Sequence, residues 1–159
     1  APGNLPALFA RLAERLARRG ERVSFVAGPG FTSHIDSLPT LQVLRNPSGD
    51  ELREQLGAAR LVIANGGDSL LQALVLGRPC IAMPIASDQA SRIAWCQSRG
   101  IVATGTADEL PELIERHLAE PGRRAALAAN ATGMGWRDGM AEALRAIGRL
   151  TGVEAATDL

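Results

Sequence analysis

"IANGGDSLLQALVLGRP", residues 63 to 79, passes from an apolar, strand-like end through Gly-Gly-Asp-Ser into a second apolar segment. A turn that only reverses the chain needs a single Gly or Asn. Gly66 and Gly67 leave the backbone without side chains that would hold a ligand off it. The helix that begins after them presents unpaired N–H groups and the positive end of its dipole, and Ser69 adds a hydroxyl in the first turn. A strand–turn–helix unit of this kind is a ready anion site, and a diphosphate is a common occupant. Capping of the helix by Asp68 or Ser69, with the glycines merely turning the chain, accounts for the same four residues, so the surrounding sequence has to decide between the two.

Strands and helices alternate around this unit. Residues 5–18 carry Leu5, Leu8, Phe9, Leu12 and Leu16 on one helical stripe, and Gly20 ends that helix. Strands are predicted at 22–28, 41–45, 60–65 and 80–84, with a last short one in "GIVATG" at 100–105. Helices are predicted at 50–56, from the glycines to about Leu76, and from about Gln89 to Ser98. Thr106 and Glu109 read as a capping box before Leu110, Leu113, Ile114 and Leu118, and "PGRRAALAAN" and "DGMAEALRAIGRL" are two more helices. This order predicts an α/β fold, a Rossmann-like parallel sheet with helices on both faces. Residues 1–150 form one domain in this reading, and 151–159 a flexible tail. The chain opens with a loop and a helix where such a sheet ordinarily opens with a strand. A first strand is therefore expected from a segment outside these residues, and a chain beginning at Ala1 reads as a piece of something longer.

With 159 residues, 46% of them hydrophobic, the chain can bury one sizeable core. Seventeen Lys+Arg balance seventeen Asp+Glu, which removes the electrostatic case for a nucleic-acid or anionic-membrane partner. Arg11, Arg15, Arg18 and Arg19, with Glu14 among them, read as a solvated helix face. Aromatic residues are 3% with no Tyr, so there is no platform on which single-stranded bases would stack. Cys80 and Cys96 form no Cys-x-x-Cys pair and read as buried free thiols in a reducing, cytoplasmic compartment, with no metal site. No apolar run reaches transmembrane length and no signal peptide is evident. His34 reads as a surface residue, His117 as a histidine at the core edge, Trp95 as core packing against the sheet and Trp136 as an interface residue.

In an open parallel sheet ligands bind beyond the carboxyl ends of the strands. The loops there are Gly28 to Gly30, Arg45 to Ser48, Asn65 to Ser69 and Pro84 to Gln89. Gly28-Pro29-Gly30 is no dinucleotide fingerprint, because a third glycine is missing at position 33.

Counting on from Ser69, Gln72 follows, then Gly77 and Pro79, Pro84, and the pair Asp88-Gln89. This combination resembles the donor-binding motif of GT-B glycosyltransferases, both the UDP-glycosyltransferases and the N-acetylglucosaminyltransferase of peptidoglycan synthesis. "LPALFARLAERLARRGERVSFVAG" is similar to the first helix and second strand of their C-terminal domain, so the resemblance covers roughly residues 5 to 120. It implies one half of a GT-B architecture that binds a nucleotide-diphosphate sugar as co-substrate, with UDP the expected nucleotide, and uses no metal. Asn65, Gly66, Gly67, Asp68 and Ser69 would hold the diphosphate, Gln72 the ribose, Asp88 and Gln89 the transferred sugar, and Leu44, Arg45 and Asn46 the base. The catalytic base would lie on an N-terminal domain of the same protein.

Three departures from the family pattern stand out. Gln72 occupies the place of a glutamate, and an amide has one acceptor oxygen where a carboxylate has two. Ala64 and Asn65 stand where many relatives carry a histidine, and Arg45 is the one planar group available to a base. Transfer of a sugar to an acceptor hydroxyl is the first reading. A nucleotide-sugar hydrolase or epimerase of the same fold, or a non-catalytic module with a degenerate donor site, are the alternatives.

Overall fold

A computed structural model describes residues 5–137 and 139–151. Along the chain run α1 (Leu5–Arg18), β1 (Val23–Ala27), β2 (Leu41–Arg45), α2 (Gly49–Ala58), β3 (Val62–Ala64), α3 (Asp68–Val75), β4 (Cys80–Ala82), α4 (Ser87–Ser98), β5 (Val102–Ala103), α5 (Leu110–Ala119), α6 (Pro121–Gly133) and α7 (Met140–Thr151). The element order read from the sequence is present: strands and helices alternate from β2 to α5, with no helix between β1 and β2 and with α5, α6 and α7 in succession. The proposed tail lies outside the described residues from 152 on.

All strand pairs are parallel, but they form two sheets where the sequence predicts one. β1 pairs with β2, Val23 opposite Leu41, and β3-β4-β5 make a second sheet with Val62 opposite Cys80 and Cys80 opposite Val102. The physical reason is that no described strand lies between β1 and β3, so their facing edges have no ladder partner.

Strand alternation sends successive side chains to opposite faces. Ile81 and Met83 go to one face, where they join Leu12 and Leu16 of α1 and Leu110 and Ile114 of α5. Cys80 and Ala82 go to the other, packed with Leu70, Ala73 and Leu74 of α3, Ile93 and Cys96 of α4, and Ala131 of α6. A third cluster sets Ala13 and Ala17 of α1 against Leu41 of β2. The α1 stripe is therefore core as its spacing predicts, while Arg11, Arg15, Arg18 and Arg19 are exposed. Arg18 pairs with Asp36, and Arg19 with Glu115.

Helix ends follow their punctuation. Gly20 has φ +87°, and Gly20 N and Glu21 N donate to the Ala17 and Leu16 carbonyls at 3.0 and 3.1 Å, a Schellman ending that only a left-handed residue permits. Gly77 ends α3 the same way, with φ +65° and Arg78 N donating to the Ala73 carbonyl at 2.9 Å. Ser48 and Glu51 exchange both bonds of a capping box at the start of α2, and Thr106 and Glu109 do so just ahead of α5.

Two tryptophan expectations are corrected. Trp95 is 42% exposed and carries the Arg99 guanidinium 3.8 Å above its ring; its position on α4 faces away from the buried Ile93 and Cys96. Trp136 packs against the core, and its indole N–H donates to the Ala131 carbonyl at 2.8 Å. Local composition around Trp136 hid the end of α6, which supplies the core it joins. His117 is buried on α5, with Nδ1 2.8 Å from the Leu113 carbonyl, and His34 is exposed beside Asp36. Cys80 and Cys96 are both free and buried.

Candidate functional site

The strands of each sheet end on one side because they are parallel. β3 and β4 are neighbours, so the turns that follow them, 65–67 and 83–86, lie next to each other, and α3 and α4 both start there. Neither helix start is capped by a side chain. Gly67 is the N-cap of α3 with no side-chain hydrogen bond, and Ala86 that of α4, again with none. Asp68 and Ser69 therefore sit inside the first turn of α3 and do not cap it, which removes the plain capping explanation of Gly-Gly-Asp-Ser. Two helix N-termini, each with orphan N–H groups and a partial positive charge, stand on adjacent strands.

The turn between β3 and α3 is fastened from within. Asn65 Oδ1 accepts from Gly67 N at 2.9 Å, closing a local turn. Gln89, in the first turn of α4, turns its Oε1 back to accept from Gly66 N at 3.2 Å and from Ile85 N at 3.0 Å. One side-chain oxygen thus ties the two strand-end loops together. Arg92, one helical turn further on, donates to the Gly66 carbonyl. Both glycines also have a packing reason: a Cβ at 66 would lie 2.7 Å from Gln89 Cβ and 3.1 Å from Ile93 Cδ1, and a Cβ at 67 would lie 2.8 Å from Asn65 Oδ1. The close approach of α4 accounts for Gly66, and the side-chain-closed turn for Gly67.

The other sequence-predicted residues spread outward from this centre. Ser69 is half-buried in the first turn of α3, and Gln72 is exposed one turn along it. Asp68 and Asp88 are exposed in the first turns of α3 and α4. Leu44, Arg45 and Asn46 lie at the carboxyl end of β2, in the other sheet. Asn46 is held at φ +48°, the one non-glycine residue of positive φ among those described, with its N–H donating to the Ala27 carbonyl at 3.1 Å. That conformation and the Ser48–Glu51 box behind it give the β2 loop a defined shape.

Arg92 is the residue that sequence reasoning passed over. Its signal was the three-residue spacing from Gln89, which places both on one face of α4. It brings a guanidinium to a turn in which the sequence showed no cation. Carboxylates and a cation both border the paired helix ends, so the site can bind a group that presents both anionic oxygens and hydroxyls. Among the described residues no cluster of His, Cys, Asp or Glu could hold a metal ion, and no helix is long and apolar enough to cross a membrane.

No family model matches the chain, and no curated protein matches it. Among solved structures it is similar to the crystal structure of MurG from Acinetobacter baumannii, with a TM-score of 0.62 and 14% identity, over 89% of this chain and 45% of that one. The chain spans less than half of that protein's length. At this identity the likeness is one of fold, and the fold is GT-B-like: parallel strands flanked by helices, as in one Rossmann-like half of that architecture.

Proposed function

We propose that this chain is the donor-binding half of a glycosyltransferase. It takes a nucleotide-diphosphate sugar at the carboxyl ends of β3 and β4, and the sugar passes to an acceptor hydroxyl held by another domain. The observation that carries the reading is the pair of uncapped helix N-termini on adjacent strands, joined through Gln89 and flanked by Arg92. MurG is itself a glycosyltransferase, which supports the choice of reaction class.

In this reading the backbone N–H groups at 68 and 69 and the Ser69 hydroxyl meet the diphosphate, the turn ahead of them being held in shape by the Gly67 N–H bond to Asn65, and the Arg92 guanidinium offsets its charge. These groups stabilise the diphosphate most as the bond to the anomeric carbon breaks and charge builds on the leaving oxygen. Gln72 reaches the ribose, Asp88 and the Gln89 amide the sugar hydroxyls, and Leu44 to Asn46 the base. The proton of the attacking hydroxyl goes to a general base on the acceptor side.

A second reading is favoured by Asp68 and Asp88. Both carboxylates stand in the first turns where a bound phosphate would concentrate its charge, and Gln72 grips a diol less well than a carboxylate does. A module that keeps the fold with a degenerate site would look like this. Titration calorimetry against UDP, TDP and GDP, with Ser69→Ala and Gln72→Ala alongside, separates the two. Selective binding of one nucleotide that both substitutions weaken supports the donor site, and silence from the chain joined to its acceptor domain supports the degenerate one.

A further inference from the structure

β1 stands between β2 and the β3-β4-β5 sheet. Glu21, just ahead of β1, and Arg60, just ahead of β3, form an ion pair at 2.5 Å. Val23 of β1 packs with Leu61 and Ile63 of the β3 segment around the same two α1 residues, Leu12 and Leu16, whereas Leu41 and Val43 of β2 join the cluster over Ala13 and Ala17. With the diphosphate at the start of α3, beyond β3, and the base at Leu44 to Asn46, beyond β2, a bound nucleotide crosses the carboxyl end of β1. The turns after β1 and β2 are one inter-strand spacing apart, about 4.8 Å, and Asn46 N donates to the Ala27 carbonyl across it. A ribose and base are broader than that spacing. They reach the β2 loop only by covering the residues just after Ala27.

Those residues are Gly28, Pro29 and Gly30, all exposed. The fold itself requires neither glycine. Neither has a positive φ, and a Cβ built on either meets no atom of the described residues within 4 Å. Gly20 and Gly77 are required by φ, and Gly66 and Gly67 by packing. Gly49, Gly57, Gly122 and Gly133 share the freedom of Gly28 and Gly30, but they belong to α2 and α6, and Gly139 precedes α7; Gly28 and Gly30 have it in the turn directly after a strand. That turn is also firm. Phe31 N donates to the Gly28 carbonyl at 3.0 Å, Pro29 fixes its own φ, and the Phe31 ring lies against Phe25 with centroids 5.1 Å apart. A firm turn bare of side chains lets a ligand approach the backbone closely.

An apolar floor adjoins the turn. Val23 and Phe25 pack toward α1, so alternation turns Ser24 and Val26 the other way. Ser24 Oγ donates to Gln55 Oε1 of α2 at 2.7 Å, and Leu56 of α2 shares a cluster with Leu70 and Leu74 of α3. Val26 is therefore on the same side of the strands as α3, which carries Gln72. It stands opposite Leu44 in the ladder and is 40% exposed, while Leu44 is half-buried. We propose that Gly28-Pro29-Gly30 is the nucleoside subsite of the donor: the ribose crosses the bare turn, and the base rests on Val26 and Leu44. The proposal rests on the donor-site reading and adds the β1 turn to it. A side chain at 28 or 30 occupies the space of the ribose without disturbing the protein.

Calorimetry and thermal melting of the 159-residue chain test it with Gly28→Ala, Gly28→Leu and Gly30→Leu, and with Gly122→Ala as a remote control. The best bound of UDP, TDP and GDP probes the whole nucleotide site. Pyrophosphate, followed by amide chemical shifts, probes the diphosphate place alone. All four variants are expected to melt within about 2 °C of the parent. Nucleotide affinity falls about threefold for Gly28→Ala and about tenfold or more for the leucine variants, while pyrophosphate binding is unchanged and the control matches the parent. Undiminished nucleotide binding by both leucine variants would overturn the proposal and leave the donor site standing. So would leucine variants that lose nucleotide and pyrophosphate together, or that melt well below the parent, since the turn would then be a structural element. A parent chain that binds none of the three nucleotides overturns the donor-site reading, and this proposal with it.

Discussion

Gln89 and Gly66 are in contact twice over: the Gln89 side-chain oxygen accepts the Gly66 N–H at 3.2 Å, and a Cβ on residue 66 would stand 2.7 Å from Gln89 Cβ. The first contact orders the turn after β3, and the second forbids any side chain there. Position and identity are thus set by α4, twenty-three residues away in sequence.

Gly66→Ala pushes backbone-near atoms apart, since the obstructing Gln89 Cβ and carbonyl oxygen cannot swing aside. The expected cost is about 1–3 kcal/mol, read as a lowered denaturation midpoint with an unchanged slope, together with loss of nucleotide binding. A variant as stable as the parent would show that α4 is not packed on this turn.

Gln89→Ala and Gln89→Glu separate fastening from recognition. Alanine leaves the Gly66 and Ile85 N–H groups without their acceptor and lowers stability by about 1–2 kcal/mol. Glutamate keeps the acceptor and adds a negative charge beside two helix N-termini, so stability is held or rises. Its charge repels a diphosphate, and UDP affinity by calorimetry falls at least tenfold.

Arg92 provides a charge-assisted contact to the turn. Arg92→Ala weakens nucleotide binding about tenfold or more and flattens its dependence on salt, whereas Arg92→Lys restores part of both. Equal affinities and salt slopes in all three proteins would remove Arg92 from the site.

Burial pushes the Cys80 thiol up to about 12, with Cys96 nearby adding to the effect, and raises Cys96 as well. In the unfolded chain the thiols ionise near the ordinary value of 9.0, so above it the unfolded state loses protons that the folded state keeps. The stability contributed by the neutral thiol is complete below pH 9 and is lost as pH rises from there toward 12. Melting at pH 8 and pH 10.5, with Cys80→Ala as the comparison, should show a steeper alkaline decline in the parent. Neither thiol should react with a disulfide reagent before unfolding.

The two tryptophans should behave oppositely. Trp95→Ala, at an exposed site, changes stability by less than about 1 kcal/mol, while Trp136→Ala removes a core contact and a hydrogen bond and costs about 3 kcal/mol or more. Iodide quenching of the single-tryptophan variants should be strong for Trp95 and weak for Trp136.

Periodicity and punctuation carried much of the fold in legible form. The Leu5–Leu16 stripe, the apolar strands and the glycines at 20 and 77 act over a few residues, within one turn or one strand, so their meaning survives without the rest of the molecule. The strand–Gly-Gly–helix unit was legible for the same reason. Its internal fastening was not, because Gln89, Arg92 and Ile93 reach Gly66 only after β4 has brought α4 alongside α3. Trp95 and Trp136 were misread likewise: burial is decided by which helix face meets a partner, and neighbours in sequence do not say.

By itself, then, the sequence determined the element types, their order, the parallel α/β class and the place of the Gly-Gly turn between β3 and α3, all consequences of local backbone preference and side-chain period. Tertiary structure alone decided that two helix starts share one site, that a glutamine and an arginine from α4 shape it, and that the sheet is open between β1 and β3. Those are distances between segments remote in the chain, and they exist only once packing has brought the segments together.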